Sequence, residues 1–342
     1  MTAIIGRVAA IVTLSIGVAL AAPQPQLPQF GAATRTVAVY ATVTGASGRL
    51  VPDLTREDFS VGDNGKRQTL TLFSNDTQPI TLIMLLDRSG SMKANFELEE
   101  LAAEAFVRAM LPADKARIGS FARNIQIDPD DFTSNRDTLI KILRTELQED
   151  GPTPLWNAVD RGIDKLLIEQ GRRVILVFTD GVDMPLQFTN RNRSLRDVMK
   201  RAEEHDVMVY AIGLAGRNGM PDLSGRGSDR GRGGMNPGAF GGLGGRGPGG
   251  STAGQLQMEH PDEGLPKIAA ATGGGYFELT SPRALASTFA RIANELHQQY
   301  ALGFTPEKLD GKLHDLTVTL SNPALIARAR TRYLASKAPG AP

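Results

Sequence analysis

Four continuous apolar runs, separated by segments with helical periodicity, constrain the fold of this chain most strongly. The runs are TLIMLL (81–86), residues 116–121, VILVF (174–178) and VMVYAIGL (207–214). Strands that are apolar on both faces are typical of a parallel sheet covered by helices. The segments between them have helical spacing: FELEELAAEAFVRAML, RDTLIKILRTEL, PLWNAVDRGIDKLLIEQ and SLRDVMKRAEEH. This alternation predicts right-handed βαβ units and a doubly wound, mostly parallel α/β sheet.

Segments with strand patterns flank this region on both sides. TVAVYATVT alternates apolar and polar residues, and DFSVGDNGKRQTLTLF predicts two strands around a turn at 63–65. After LPKIAAATGG, GYFEL and the amphipathic PRALASTFARIANELHQQY, strand patterns return in ALGFTP, HDLTVTLS and ARARTRYLA. Isolated strands at either end would leave exposed edges. We therefore predict that residues 35–75 and 299–335 form one small β-sandwich, which flanks an α/β domain over residues 80–298.

The turn at residues 63–65 has a second interpretation. Asp58, Asp63 and Asn64 offer the oxygen atoms of a calcium loop. The Asn64-Gly65 dipeptide supplies the positive φ angles of a tight hairpin, which explains the cluster more simply.

The N-terminus predicts export. Arg7 precedes an apolar run that ends in the small-residue pattern Ala19-Leu20-Ala21, as in a secretory signal peptide over residues 1–21. An uncleaved membrane anchor is the alternative, but this run has about 15 residues and a spanning helix needs roughly 20. Residues 22–34 predict a Pro/Gln-rich spacer. We expect a periplasmic, cell-surface or secreted protein whose mature chain has no membrane span.

Composition excludes several classes of site and partner. The chain has no cysteine, so it has neither disulfides nor thiolate metal sites nor a cysteine nucleophile. Its 38 basic and 37 acidic residues give a net charge of +1, which favours neither nucleic acid nor an anionic membrane. Residues 215–257 form a Gly/Arg-rich insert that predicts a disordered surface loop. Its Arg-Gly repeats resemble RNA-binding tails, but for an exported protein we expect no nucleic-acid partner.

Five candidate metal ligands occur in three separate segments. They are Asp87, Ser89 and Ser91 in DRSGSM after the first apolar run, Thr153 in GPTPL, and Asp180 in TDG after VILVF. Open α/β sheets bind ligands at the carboxyl ends of their strands, where these residues are expected to meet. Their oxygen atoms suit Mg²⁺, with Mn²⁺ or Ca²⁺ as alternatives. Neutral hydroxyl ligands leave a cation able to recruit an anionic oxygen from outside.

Each part of this pattern also has a simple local explanation. Thr153 followed by Pro154 is an ordinary helix N-cap. Ser89 and Ser91 offer caps for the next helix, and Asp180-Gly181 is a common turn. The joint occurrence of the three parts favours a metal site.

Together, DRSGSM, Thr153 and TDG resemble the metal-ion-dependent adhesion site (MIDAS) of von Willebrand factor type A (VWA) domains, including integrin I domains, in order and approximate spacing. The resemblance implies that Ser89, Ser91 and Thr153 bind the metal directly. Asp87 and Asp180 would act directly or through water, and a partner's Asp or Glu carboxylate would complete the coordination. Residues from about 35 to 335 also resemble the VWFA-related domain family of acidobacterial exported proteins, apart from the insert.

We therefore expect a metal-dependent protein-binding or adhesion module and not an enzyme. The four histidines form no HExxH motif, and the chain lacks GxSxG, a Walker A loop and a GxGxxG after a strand. Two alternatives stay open. One is a structural envelope module without an active metal site, and the other is a metal-dependent hydrolase, for which the sequence identifies no general base.

Replacing residues 215–257 with a short Gly/Ser linker should change the free energy of unfolding by less than about 2 kcal/mol, because ordering so many glycines is costly and few apolar groups offset it. Denaturant unfolding of the deletion variant beside the full chain measures this difference. A larger loss would show that the insert packs on the core.

Overall fold

The computed structural model describes residues 36–147, 151–184, 192–215 and 260–337. The predicted signal peptide (1–21), the spacer (22–34) and all of the insert (215–257) except Ala215 lie outside these residues. Within them, no helix combines the length and the apolar character that crossing a membrane requires.

The strands and helices of the described residues follow the predicted alternation. The strands are β1 (Val37–Thr44), β2 (Phe59–Asp63), β3 (Lys66–Gln68), β4 (Leu70–Ser74), β5 (Ile80–Asp87), β6 (Lys115–Phe121), β7 (Ile125–Thr133), β8 (Arg172–Thr179), β9 (Val207–Leu214), β10 (Tyr276–Leu279), β11 (Tyr300–Phe304), β12 (Leu313–Leu320), β13 (Ile326–Arg328) and β14 (Arg332–Leu334). The helices are α1 (Phe96–Ala109), α2 (Arg136–Thr145), α3 (Leu155–Leu166), α4 (Leu195–Glu204), α5 (Gly264–Thr272) and α6 (Leu285–His297).

A six-stranded sheet in the order β10-β9-β8-β5-β6-β7 forms the centre of the α/β part. All neighbouring strands are parallel except β6 and β7. Helices α1, α2 and α6 pack on one face of the sheet, and α3, α4 and α5 pack on the other. Along β5, Met84 contributes to the first core and Leu85 to the second, so the continuous apolar run serves both faces. The doubly wound α/β prediction is confirmed.

Two four-stranded sheets flank this domain and share one apolar core. Their orders are β13-β1-β11-β4 and β14-β12-β2-β3. In the first sheet β1 pairs with β11, Val37 opposite Phe304. In the second, β2 pairs with β12, Val61 opposite Val318. Strands from both ends of the chain thus build one sandwich, as the strand patterns predict.

The structure corrects three details of the strand prediction. The segment 58–73 holds three strands and not two, because β3 pairs with β2 whereas β4 crosses to β11 in the opposite sheet. ARARTRYLA is divided between β13 and β14, which lie in different sheets. The edge strand β7 has a charged sequence with a proline, IQIDPDDFT, and therefore shows no apolar pattern.

The turn interpretation of residues 63–65 is confirmed. Asn64 has a φ of 47° and Gly65 a φ of 80°, the left-handed conformation of a tight hairpin. The Asp63 carboxylate lies 2.8 Å from Nδ1 of His314, and Asp58 accepts a hydrogen bond from the Thr55 backbone. These carboxylates therefore bind protein groups in different places and do not form a calcium loop.

A buried polar network joins the sandwich to the α/β domain. Arg172, at the start of β8, donates to the carbonyl of Leu296 at 2.8 Å and stacks on the ring of Tyr40 in β1, 4.6 Å from its centroid. Gln299 donates to the Thr42 hydroxyl at 2.8 Å. Because only two residues separate α6 from β11, these contacts fix the two parts against each other.

The sandwich is expected to unfold as one unit. Leu302→Ala in β11 should lower the free energy of unfolding by about 2–5 kcal/mol, because Leu302 is fully buried between the two sheets. Amide hydrogen exchange should accelerate in both β1 and β4, which flank β11. Ile326→Ala, at an exposed position, is the matched control and should stay within about 0.5 kcal/mol. Unchanged exchange in β1 would show that the N-terminal strands hold together alone.

Candidate metal centre

The candidate centre lies where the ends of two neighbouring parallel strands meet. Asp87 is the last residue of β5, and Asp180 directly follows β8, its neighbour in the sheet. The chain leaves β5 toward β6 on one side and leaves β8 toward β9 on the other. The centre is therefore at the topological switch point, where open α/β sheets bind ligands.

Asp87 lies at the buried end of the centre, at the end of β5. It is 0% exposed, and its carboxylate accepts the Ser89 N–H at 2.9 Å and the Thr179 hydroxyl at 2.5 Å. Burial raises the pKa of Asp87 to about 6, and the nearby Asp180 carboxylate adds to the rise, while the bonds from Thr179 and Ser89 oppose it. Asp87 is thus a buried negative charge that would gain from a cation beside it.

Two serines and the second carboxylate form a connected row of oxygen atoms. The hydroxyls of Ser89 and Ser91 lie 3.1 Å apart, and Ser91 donates to Asp180 at 2.8 Å. Ser89 and Asp180 are buried, whereas Ser91 is exposed. Ser91, in the middle of the row, is therefore the residue at which the group is open to solvent.

Thr153 reaches the centre from a third loop. It is buried against Gly181: a methyl group added to Gly181 would lie 3.4 Å from the Thr153 hydroxyl oxygen. Gly151 fixes this loop, because its φ is 142° and an added methyl group would lie 2.5 Å from the backbone nitrogen of Arg123. The structure thus brings Asp87, Ser89, Ser91 and Asp180 into one hydrogen-bonded group and places Thr153 beside the residue that follows it.

The structure does not contain the helix caps that Thr153 and Ser89 could form, whereas Asp180 and Gly181 do lie in a bend. The helix after Thr153 begins at Leu155 with Pro154 as its N-cap, and its first N–H groups, including that of Trp156 at 3.2 Å, are bound by the Asp183 carboxylate. Ser89 precedes a short 3-10 helix without a side-chain capping bond. The N-cap interpretation of Thr153 is therefore wrong, and the hydroxyl of Ser89 is not used as a cap.

Three positioning residues were missed by sequence reasoning. Thr179 bonds Asp87 and also accepts the Gly181 N–H at 3.1 Å. Asp262 accepts the Asp183 N–H at 2.9 Å and so holds the loop after β8. Thr179 and Asp183 lie within one short segment, TDGVD, which was a detectable signal. Asp262 is distant in sequence and gave none.

Arg88 fixes the DRSGSM loop on helix α1. Its guanidinium is buried, lies 3.4 Å from Glu99 and 3.0 Å from Glu100, and stacks 3.7 Å from the centroid of the Phe96 ring. Burial raises the pKa of Glu99 well above its usual range, and Arg88 opposes that rise. Removing one member of a buried pair costs about 3–5 kcal/mol, so this pair holds the loop firmly on the helix.

The donor set fits a hard divalent cation. The centre offers two carboxylates and three hydroxyl groups, and oxygen atoms are the ligands that Mg²⁺ prefers. No group of three or more His, Cys, Asp or Glu side chains suited to a metal occurs in the described part of the chain. A cation held here would therefore depend on the hydroxyls as much as on the carboxylates.

A family model for the von Willebrand factor type A domain matches residues 82–182, a range that includes all five candidate ligands. The α/β part of this chain is a VWA domain. Comparison with curated proteins finds no significant match.

Solved structures that match the chain do so at low identity. An aerotolerance-related membrane protein from Bacteroides fragilis is 18% identical, with a TM-score of 0.44 over 64% of this chain and 98% of its own. A von Willebrand factor type A protein from Catenulispora acidiphila is 10% identical, with a TM-score of 0.46 over 90% and 65%. The vWF domain of the pilus tip protein Mfa5 from Porphyromonas gingivalis is 13% identical, with a TM-score of 0.43 over 64% and 95%.

The buried charge of Asp87 should make the metal-free VWA domain less stable at neutral pH. The pKa of Asp87 is higher in the folded than in the unfolded state, so protonated Asp87 contributes its full stabilisation only below the unfolded pKa. As pH rises from about 4 through 6, the free energy of unfolding should fall by on the order of 2–3 kcal/mol. Asp87→Asn stays neutral and should lack this loss. Urea unfolding of both proteins with a chelator across that pH range measures it, and parallel pH profiles would contradict the prediction.

Proposed function

We propose that this protein is an exported, metal-dependent protein-binding or adhesion module. The observation that carries the proposal is the hydrogen-bonded group of Asp87, Ser89, Ser91 and Asp180 at the switch point, with Thr153 beside it. These residues would hold Mg²⁺, with Mn²⁺ or Ca²⁺ as alternatives. The cation would supply a positive charge that binds a carboxylate oxygen, as the MIDAS resemblance implies.

The charge balance of the centre favours an anionic partner. Three of the five proposed ligands are neutral hydroxyls, and both carboxylates already accept hydrogen bonds from neighbouring groups. A divalent cation bound there keeps the ability to attract another anionic oxygen. Because Ser91 marks the exposed side of the group, an Asp or Glu side chain of a partner protein is expected to approach from there.

Apolar side chains beside the centre extend the proposed contact surface. Val182 and Met184 follow Asp180 in the same loop and are 57% and 56% exposed. Methionine is an adaptable residue that is enriched in the core of protein interfaces. We therefore expect the partner's acidic residue to be flanked by apolar groups that cover these two side chains.

A binding role fits the chemistry better than catalysis. Each described histidine has a role away from the centre: His297 pairs with Asp114 at 2.8 Å, His314 with Asp63 at 2.8 Å and His260 with Glu278 at 3.5 Å, while His205 ends α4. Hydrolysis by a metal-bound water needs a general base placed near the substrate. The side chains that surround the centre offer hydroxyls and bound carboxylates for holding a ligand.

Substitutions at Thr153 test the metal centre most sharply. Thr153→Val keeps the size and the packing against Gly181 but removes the oxygen, so it should weaken Mg²⁺ and Mn²⁺ binding at least about tenfold at little cost in stability. Thr153→Ser restores the hydroxyl and should restore binding. Isothermal titration calorimetry gives the affinities, and urea unfolding with a chelator gives the stabilities.

A charge-matched pair of variants provides the control. Asp180→Ala removes a proposed ligand and should abolish metal binding, whereas Asp53→Ala removes one exposed charge from the sandwich part of the chain and should leave metal binding unchanged. Binding of a synthetic peptide with a central Glu between apolar residues should follow the metal in every variant. If the wild-type protein binds neither Mg²⁺ nor Mn²⁺ at millimolar concentration, the metal-dependent function is wrong. That result would support the alternative of a structural module without an active metal site. Metal-dependent hydrolysis of any compound in a substrate panel would support the alternative of a metal-dependent hydrolase.

A further inference from the structure

A second candidate site lies at the β7 edge of the central sheet. A cavity of about 280 Å³ separates the edge strand β7 from helix α3. Its lining consists of Arg117, Ile125, Gln126, Ile127, Asp128, Asp130, Arg161 and Lys165. Arg117 is near the start of β6, whereas the candidate metal centre is at the carboxyl ends of the strands. None of the five candidate metal ligands lines the cavity, so it is a separate site.

A bulge in β7 creates the cavity. Ala116 of β6 is opposite Thr133 of β7, but Ile118, two residues further on, is opposite Asp128, five residues away from Thr133. The extra residues of β7 leave the ladder at the position of Arg117. The Arg117 side chain donates to the carbonyl of Ile127 at 2.6 Å.

Arg117 is a buried cation without a close counter-ion among the described residues. It is 1% exposed, its Nε has no hydrogen-bond partner, and no carboxylate of the described chain lies within ion-pair distance. Arg88, by comparison, is equally buried but has two glutamates beside it. An uncompensated buried charge is costly unless a ligand or water satisfies it. A guanidinium in a cavity of this kind is suited to a carboxylate, which its planar donors bind in pairs.

The cavity carries charges of both signs. Arg161 and Lys165 are one turn apart on α3 and add two cations to Arg117, while Asp128 and Asp130 contribute carboxylates from β7. Burial lowers the pKa of Arg117, and the carboxylates of Asp130 and Asp128 oppose that change, so they act on the same space. A simple anion would be repelled by the carboxylates, and a simple cation by the three basic groups. A ligand with both charges would meet neither penalty.

We propose that this cavity binds a small zwitterion of the amino-acid type. Its carboxylate lies against Arg117, Arg161 and Lys165, and its ammonium group faces Asp128 and Asp130. The cavity volume is near the lower end of small-molecule sites, which suits a free amino acid and excludes large ligands. The site does not involve the metal centre.

L-alanine and two analogues that each lack one of its charged groups test the two charges separately. L-alanine has both charges, propionate only the carboxylate, and ethylammonium only the ammonium group. Ligand-observed NMR with the full chain, in the presence of a chelator, should give saturable L-alanine binding in the millimolar range and at least about tenfold weaker binding of the other two probes. The chelator keeps any carboxylate away from a metal-bound centre.

Variants on the exposed side of the cavity connect the binding to these residues. The double variant Arg161→Gln and Lys165→Gln should weaken L-alanine binding at least about tenfold without loss of stability, because Arg161 is exposed and Lys165 is half-buried. Asp130→Asn should make L-alanine and propionate bind more alike. Lys200→Gln on α4 is the control and should bind as wild type does.

Two results would overturn the proposal. Equal affinity for propionate and L-alanine in the wild-type protein would identify a simple carboxylate site. Absence of saturable binding by any probe, or unchanged binding in the double variant, would mean that the cavity holds only water around Arg117. Neither result bears on the metal titrations of the Thr153 variants, so the two proposals fail independently.

Discussion

The parallel pairing of β5 with β8 is the constraint on which the rest of this structure depends. Both strands are buried on both faces, so their apolar side chains leave little freedom in register. That register sets the Thr179 hydroxyl 2.5 Å from the Asp87 carboxylate and puts Asp180 beside Ser91. The hydroxyl and carboxylate groups thus meet because the hydrophobic sheet beneath them is fixed, and a shift of one strand would separate them.

The buried charges around the sheet are held by different means, and the differences correspond to different roles. Arg88 is paired with glutamates and fixes a loop on a helix, and Arg172 is bound by carbonyl and amide oxygens and fixes the sandwich to the domain. Asp87 and Arg117 have no partner of opposite charge at ion-pair distance among the described residues. Asp87 and Arg117 each lie at one of the two candidate sites.

The general architecture could be predicted because its signals are local. The continuous apolar runs of β5, β8 and β9 showed a sheet covered on both faces, and parallel strand ends then required Asp87 and Asp180 to be neighbours. The roles of Asp183 and Asp262 could not be predicted, since each binds backbone groups distant in sequence. The edge strand β7 was missed because a bulged strand with three aspartates lacks the apolar alternation on which prediction depends.

The pairing of the first strand with a late one has a consequence for how the molecule is made. Val37 finds its partner only at Phe304, and Phe59 only at Leu320. A chain that emerges from a ribosome N-terminus first can pair β2 with β3 early, but it must keep β1 without its sheet neighbours β11 and β13 while the whole α/β domain is synthesised and folds. Such high contact order slows folding and leaves strand edges available to other chains. The sandwich is thus completed only after its late strands, β11 to β14, have been synthesised.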